Sequence, residues 1–151
     1  MSSVSLVGQD TIIINDRVFA DLSNGNVGQI MFENDSANVM VGKDKNAIYA
    51  FNAQGVQATV ELRVMRGSSD DKFLNNLYSQ QCANFVGTTL LTGVFVKKIG
   101  DGSGQVENDS YSMSGGIFMR SVDVISNVEG EPEQGTSTWR LRFTEVVRSI
   151  G

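Results

Sequence analysis

The stretch VQATVELRVM, residues 56–65, decides the fold class of this chain. Apolar and polar residues alternate along it, and a period of two is typical of a β-strand that buries one face. We therefore predict a half-buried strand. Its buried face carries Val56, Ala58, Val60, Leu62 and Val64, and its polar face carries Gln57, Thr59, Glu61, Arg63 and Met65.

A single helix is predicted directly after this strand. Ser68 and Asp71 have the spacing of an N-terminal capping pair, and Asp70 adds negative charge where the helix dipole favours it. Apolar residues then recur with the helical period, so one helix face can pack on a sheet. We place the helix at about residues 69–83, with an apolar stripe formed by Phe73, Leu74, Leu77 and Tyr78.

Further β-rich runs lie on both sides of this central block. Asn15 and Asp16 tolerate positive φ and predict a tight hairpin between residues 11–14 and 17–22. The other predicted strands are 27–32, 90–99, 105–113, 117–125 and 137–147. Gly115-Gly116 is predicted to separate the strand at 105–113 from the strand at 117–125. One face of the last strand carries Trp139, Leu141, Phe143 and Val147. These elements predict a mainly β fold: an antiparallel β-sandwich or barrel with one flanking helix, forming a single domain over residues 1–151.

The composition of the chain argues against most enzyme classes. Its 151 residues include no histidine and one cysteine, Cys82. A zinc site needs about four Cys or His ligands, and Ser-His-Asp or Cys-His catalysis needs an imidazole. We therefore expect a protein that is not an enzyme and that needs no metal or other cofactor. One cysteine also rules out a disulfide within the chain.

The charge of the chain argues against a nucleic-acid-binding surface. Twelve Lys and Arg against 17 Asp and Glu give a formal net charge of −5, and the basic residues are scattered. Affinity for phosphate requires clustered Lys and Arg. No apolar run approaches the roughly 20 residues that span a bilayer, and the N-terminus lacks the pattern of a signal peptide. We expect a soluble, cytosolic product without a membrane partner.

Residues 33–55 do not fit the regular strand pattern. They contain two short apolar patches, Val39-Met40-Val41 and Ile48-Tyr49-Ala50-Phe51. A segment of this length between strands is either an additional hairpin or a functional loop. If its apolar residues are exposed, they need a partner surface.

Three other segments are candidate sites with simpler structural explanations. The stretch 100–104 could cradle a phosphate or Ca²⁺, but it lacks the P-loop ending and the EF-hand spacing, so we predict a hairpin turn. Glu129, Glu131 and Glu133 could serve acid–base catalysis, but three carboxylates around Pro132 are typical of a solvated turn. We predict that Cys82 is a small buried thiol and that Trp139 is a core residue whose indole N–H needs an acceptor.

An ordered set of sequence blocks resembles the tail tube proteins of contractile-tailed bacteriophages. The resemblance covers residues 10–150, and its most specific part is the block at 60–75. The blocks are TIIINDRVFADL (11–22), GKDKNAIYAFN (42–52), VELRVMRGSSDDKFLN (60–75), GVFVKKIGDG (93–102) and NVEGEPEQ (127–134).

The resemblance implies a structural role in a virion. Proteins of this family form hexameric rings that stack into a hollow tube inside a contractile sheath, and the genome leaves through the tube. The implied partners are further copies of the chain, the sheath protein, and the baseplate and tail terminator proteins, with DNA as cargo that is not specifically bound. The implied location is the virion tail, assembled in the host cytoplasm.

The resemblance also suggests roles for particular residues. A long loop, here about residues 33–55, would reach a neighbouring subunit or ring, and the helix would be part of the sheath-binding face. The implied contact residues are Val39, Val41, Lys43, Asp44, Lys45, Ile48, Tyr49 and Phe51. Six copies would carry 6 × −5 = −30 charges per ring, and an acidic lumen would repel DNA. By strand alternation, the predicted lumen acids are Asp21, Glu33, Glu61 and Glu107.

Several alternatives stay open at this point. The same fold serves type VI secretion tubes, so a secretion tube, a phage-derived contractile particle or a single-layer baseplate or neck ring is possible. Residues 33–55 could instead form a hairpin that fills the chain's own core. A monomeric small-molecule-binding β-barrel and, most remotely, a carboxylate-based hydrolase are the alternatives from other functional classes.

Overall fold

The computed structural model describes residues 5–6, 11–22, 27–124, 126, 130 and 132–151, and it is mainly β with a single α-helix. The predicted fold class is therefore confirmed. The strands are β1 (Ser5–Leu6), β2 (Thr11–Ile14), β3 (Arg17–Val18), β4 (Gly28–Phe32), β5 (Ala37–Val41), β6 (Ala47–Phe51), β7 (Ala58–Met65), β8 (Leu91–Gly100), β9 (Val106–Phe118), β10 (Asp123–Val124) and β11 (Thr136–Ile150). The helix α1 is Ser69–Ala83, and short 3₁₀ helices lie at Ala53–Val56 and Pro132–Gly135.

Nine of the strands form one antiparallel sheet. Its order is β3-β2-β8-β9-β11-β7-β4, with β1 paired to β8 and β10 paired to β11. The sheet curls so that its two ends face each other across the core. A Cβ on Gly28 of β4 would lie 2.6 Å from the ring of Phe95 in β8 and 3.3 Å from Ile12 in β2. This close approach explains a glycine at residue 28 and gives the sheet a sandwich-like shape.

The central strand β7 matches its predicted alternation. Ala58, Val60, Leu62 and Val64 are at most 1% exposed, and they form the middle of the core. The predicted face extends one residue too far, because Val56 belongs to the preceding 3₁₀ helix and is 37% exposed.

The predicted hairpin at residues 11–22 is correct at its turn but too long in its second strand. Asn15 and Asp16 have φ of 49° and 65°, as a two-residue turn between antiparallel strands requires. The second strand ends at Val18. The chain then bends away because the amides of Ala20 and Asp21 donate to the carboxylate of Asp70 at 2.8 Å and 2.7 Å.

Strand β9 runs straight through the glycines that were predicted to end a strand. It continues from Val106 to Phe118 and includes Gly115 and Gly116, so the break predicted at 115–116 is wrong, and so is a separate strand at 117–125. Gly115 has φ of 66°, and a side chain there would collide with Thr144. These glycines allow two paired strands to approach and twist without ending either of them.

The last strand, β11, changes its buried face at the same place. Trp139, Leu141 and Phe143 are fully buried, as predicted, but Val147 is 50% exposed and Val146 is buried in its place. The pairing of β11 with β9 keeps a constant register through this region, whereas the pairing of β8 with β9 shifts register between Leu91 and Gly93. Strand β9 thus carries one extra residue beside Gly115, and a bulge of this kind bends and twists the strands around it. The buried face of β11 changes beside this bulge, and the prediction of Val147 on the buried face is therefore wrong.

The helix has the predicted limits and the predicted cap. The hydroxyl oxygen of Ser68 accepts from the Asp71 amide at 3.3 Å, and Leu74 is fully buried against the sheet. Trp139 is a core residue, as predicted, and its indole nitrogen donates to Asp71 at 3.0 Å.

The predicted burial of Cys82 is wrong, since this side chain is exposed at the end of α1. A side-chain hydrogen bond with Cys82 raises the pKa of Tyr78.

Candidate assembly surface

Residues 37–51 form a hairpin that stands apart from the main sheet. Strands β5 and β6 pair only with each other, in a separate two-stranded sheet. All ten residues of the two strands are exposed. The segment at 33–55 is therefore a hairpin, and the alternative in which it fills the chain's own core is wrong.

Both faces of this hairpin are apolar. Val39 lies opposite Tyr49 and Ala37 opposite Phe51, so these side chains share one face, which we call the aromatic face (Val39, Val41, Tyr49 and Phe51). Met40 lies opposite Ile48 on the other side, the aliphatic face (Met40 and Ile48). The six large side chains are between 56% and 79% exposed. A half-buried strand alternates apolar and polar residues, and these strands do not.

The amount of exposed apolar surface is large for a chain of this size. A large side chain offers roughly 150 Å² when fully exposed, so six of them at this exposure offer about 600 Å². The largest apolar patch on a typical monomer is about 300–600 Å², and a standard protein interface buries about 800 Å² per partner. The hairpin alone therefore supplies most of the apolar area that one interface needs.

The base of the hairpin is closed by contacts between its two flanks. The Asn52 amide donates to the Ser36 carbonyl at 2.8 Å, and the Asn34 side chain donates to the Gln54 carbonyl at 3.4 Å. Gly55 is buried, and a Cβ there would lie 2.6 Å from the Ser36 Cα. The 3₁₀ helix at Ala53–Val56 thus packs against the residues that precede β5.

The tip of the hairpin is basic. The Gly42 amide donates to the Asn46 carbonyl at 2.7 Å, and the Lys45 amide donates to the Gly42 carbonyl at 3.1 Å. Lys43, Asp44 and Lys45 lie in this turn, and among the described residues neither lysine makes an ion pair. The hairpin carries a net charge of +1 on a chain of −5, which leaves −5 − (+1) = −6 on the rest.

The turn at the tip contains a backbone conformation that suits glycine better than lysine. Lys45 has φ of 64°, the left-handed region, where a side chain costs about 1 kcal/mol relative to glycine. We expect Lys45→Gly to slow hydrogen exchange of the Gly42 amide about fivefold in the unassembled protein, since 1 kcal/mol is about a factor of five. Lys43→Gly, which removes a lysine outside the left-handed region, serves as the control. Equal or faster exchange in Lys45→Gly would contradict this assignment of strain.

Two of the four predicted lumen acids are already paired with arginines. Glu61 lies 3.4 Å from both Arg63 and Arg140. Glu33 lies 3.3 Å from Arg142. Asp21 and Glu107 make no ion pair within the part of the chain that the structure describes. Neighbouring arginines therefore offset the negative charges of Glu33 and Glu61. Of the four predicted lumen acids, Asp21 and Glu107 are the two whose negative charge no ion pair in the described residues offsets.

The other predicted sites have structural roles or fall outside the described residues. Asp101 accepts hydrogen bonds from the Ser103 hydroxyl at 2.7 Å and the Ser103 amide at 2.8 Å, and these bonds lower the pKa of Asp101. The segment 100–104 is thus the hairpin turn predicted from the sequence. Glu129 and Glu131 lie outside the described residues. Within the described ranges, no three His, Cys, Asp or Glu residues are grouped so that they could hold a metal ion.

A second exposed apolar segment, the 84–90 loop, was not singled out from the sequence. It follows α1 and exposes Phe85 by 63%, Val86 by 98% and Leu90 by 53%. Consecutive Phe and Val between Asn84 and Gly87, outside any strand pattern, are the signal that could have revealed it.

A groove with a volume of about 310 Å³ lies beside α1. Polar side chains form two thirds of its lining, and the remaining residues are apolar: Arg66, Asp71, Lys72, Asn75, Asn76 and Ser137 against Val122, Val124 and Trp139. Small-molecule sites are mostly apolar with a few polar groups, so the groove does not have the character that a ligand-binding barrel would require.

No protein-family model matches this chain, and no curated protein is significantly similar to it. Among the described residues, no helix is both long and apolar enough to cross a membrane.

Proposed function

We propose that this chain is a structural protein that assembles with copies of itself into stacked rings, and that the stack is the inner tube of a contractile phage tail. The exposed hairpin at 37–51 carries the proposal. It would bury its apolar faces on neighbouring copies, as the resemblance to tail tube proteins implies. The hexameric ring, the sheath around the tube and the passage of DNA through it are likewise proposed from that resemblance.

The properties of the hairpin support a protein that assembles with copies of itself over one that remains a monomer. An isolated two-stranded hairpin is marginally stable in water, and this one offers about 600 Å² of apolar surface. Burying one large apolar side chain contributes roughly 1.5–3 kcal/mol. Six such side chains on every copy, repeated around a ring, would strongly favour assembly over the free subunit.

The acidic charge of the chain supports a conduit that does not bind its cargo. A ring of six copies would carry 6 × −5 = −30 charges. Like charges repel the phosphates of DNA, so the genome would slide without adhering. Because neighbouring arginines offset the charges of Glu33 and Glu61, we assign the repulsion to acids without such a partner among the described residues, such as Asp21 and Glu107.

Negative-stain electron microscopy of the purified chain over a range of concentrations tests the proposal. Hollow tubes or stacked six-fold rings are the expected result. Isolated rings at every concentration would favour a baseplate or neck ring in place of a tube. A strictly monomeric particle at high concentration would overturn the proposal. The neighbouring genes then distinguish a phage tail from a secretion tube, since capsid and terminase genes accompany a phage.

A further inference from the structure

We propose that the 84–90 loop and the C-terminal end of α1 form the docking site for the hairpin tip of a second copy of this chain. The lysines of the tip would face the helix end, and an apolar hairpin face would cover Phe85 and Val86. This inference rests on the proposed self-assembly and names the surface that receives the hairpin.

The receiving surface is rigid. The Asn84 side chain accepts from the Gly87 amide at 3.1 Å, and the Thr88 hydroxyl donates to the Asn84 carbonyl at 2.9 Å. The end of the helix is tied to the sheet because Gln81 donates to the Phe118 carbonyl at 3.0 Å and accepts from the Phe118 amide at 2.9 Å. Phe85 and Val86 are therefore held in a fixed exposed position, and such preorganised apolar groups are typical of interface anchors.

The two surfaces are complementary in charge. The carbonyl groups in the last turn of a helix carry partial negative charge and lack partners within the helix. Helices often place a Lys or Arg there, but the last turn of α1 has no basic residue. The hairpin tip has two lysines without an ion pair in the described part of the chain. Docking would bring these lysines to the partial negative charge at the C-terminal end of α1, where the helix itself has no basic residue.

The two surfaces cannot satisfy each other within one chain as it is folded. Val86 is 98% exposed and Phe51 and Tyr49 are 79% and 76% exposed, so neither surface covers the other. A contact between two different patches on identical chains is heterologous, and such contacts build closed rings or open filaments. The occupant of the site is therefore a second copy of the chain.

The native cysteine provides a direct test. Cys82 is the chain's single thiol and is exposed in the last turn of α1. We expect Asp44→Cys, which places a second thiol at the hairpin tip, to give crosslinked dimers and higher species with a short bis-maleimide. The double variant Asp44→Cys, Cys82→Ser should no longer form crosslinks between residue 44 of one copy and residue 82 of another. Ser103→Cys, in another exposed turn, is the matched control. Crosslinking of Asp44→Cys no stronger than that of Ser103→Cys would overturn the inference.

A charge placed at the helix end gives a second test with opposite effects on folding and assembly. Gln80→Lys puts a cation in the last turn of α1, where it should stabilise the helix but repel the lysines of an incoming tip. We expect the critical concentration for assembly to rise about threefold, and the double variant Gln80→Lys, Lys45→Glu to recover part of that loss. Asn76→Lys, in the middle of the same helix, adds the same charge and should leave assembly unchanged. An equal effect of both lysines would overturn the inference.

The outcomes separate this inference from the proposed function. Tubes that form from the wild-type chain without any specific Asp44→Cys crosslink would leave the function intact and overturn the docking site. A wild-type chain that stays monomeric would overturn both.

Discussion

Replacing Tyr49 and Phe51 together by Asp is expected to abolish tube formation at concentrations where the wild-type chain assembles. Each of these side chains is more than three-quarters exposed in the single subunit. If both become buried in the assembly, their loss removes roughly 3–6 kcal/mol per contact. Since 1.4 kcal/mol is a factor of ten, the critical concentration should rise at least about a hundredfold. Sedimentation and electron microscopy over a concentration series measure it.

The same variant should leave the fold of the subunit intact. The hairpin belongs to a separate sheet and contributes none of the buried core residues. Its thermal unfolding should therefore match that of the wild-type chain. Asn76→Asp, at an exposed position in the middle of α1 and away from the hairpin, adds a negative charge without touching either apolar face and is the control. Tubes of unchanged length from the Tyr49→Asp, Phe51→Asp variant would show that the hairpin is not an assembly contact.

Replacing Asp70 by Ala is expected to lower the free energy of unfolding by about 3–5 kcal/mol, the usual loss when one partner of a buried ion pair is removed. Asp70 is 1% exposed. It accepts from Arg17 at 3.0 Å and from the amides of Ala20 and Asp21, so the substitution leaves three donors without their acceptor. The change should also loosen the turn that ties β3 to α1. Denaturant unfolding of the subunit measures the loss.

Two further variants separate the parts of this effect. Both backbone amides donate to Oδ2 of Asp70 and Arg17 donates to Oδ1. Asp70→Asn can keep an oxygen acceptor for the two amides but removes the charge that pairs with Arg17, so we expect a smaller loss than with alanine. Asp35→Ala removes an exposed carboxylate and should change the stability by less than about 0.5 kcal/mol. A loss for Asp70→Ala no larger than that for Asp35→Ala would contradict the anchoring role.

The sequence predicted elements whose signals are local. The alternation in β7, the cap at Ser68 and the left-handed pair Asn15-Asp16 each depend on residues a few positions apart, and all three are present in the structure. Their physical causes act before the chain is folded: side-chain direction in a strand, the unpaired amides of a helix start, and the backbone freedom that a tight turn requires.

The errors lie where a distant strand decides the outcome. Gly115-Gly116 is a turn signal by itself, but β8 and β11 pair with β9 on both sides, so the glycines lie at a bulge within the strand and do not end it. The exchange of Val147 for Val146 on the buried face likewise occurs beside the bulge at Gly115, where β8 and β9 shift register. Local periodicity contains no information on either effect, because a bulge and a close approach depend on the partner strand.

For the candidate assembly surface, too, the sequence indicates some features and the tertiary structure decides the others. The sequence by itself determined a mainly β chain with one helix, without His, and with an apolar segment at 37–51 that breaks the strand pattern. Only the tertiary structure decided that this segment projects from the sheet with both faces exposed and that Glu33 and Glu61 form ion pairs with arginines. It also decided that Phe85 and Val86 are exposed beside a helix end without a basic residue. The physical reason is that hydrophobicity indicates which residues need to be buried, whereas the packing of the whole chain decides which of them find a partner within it.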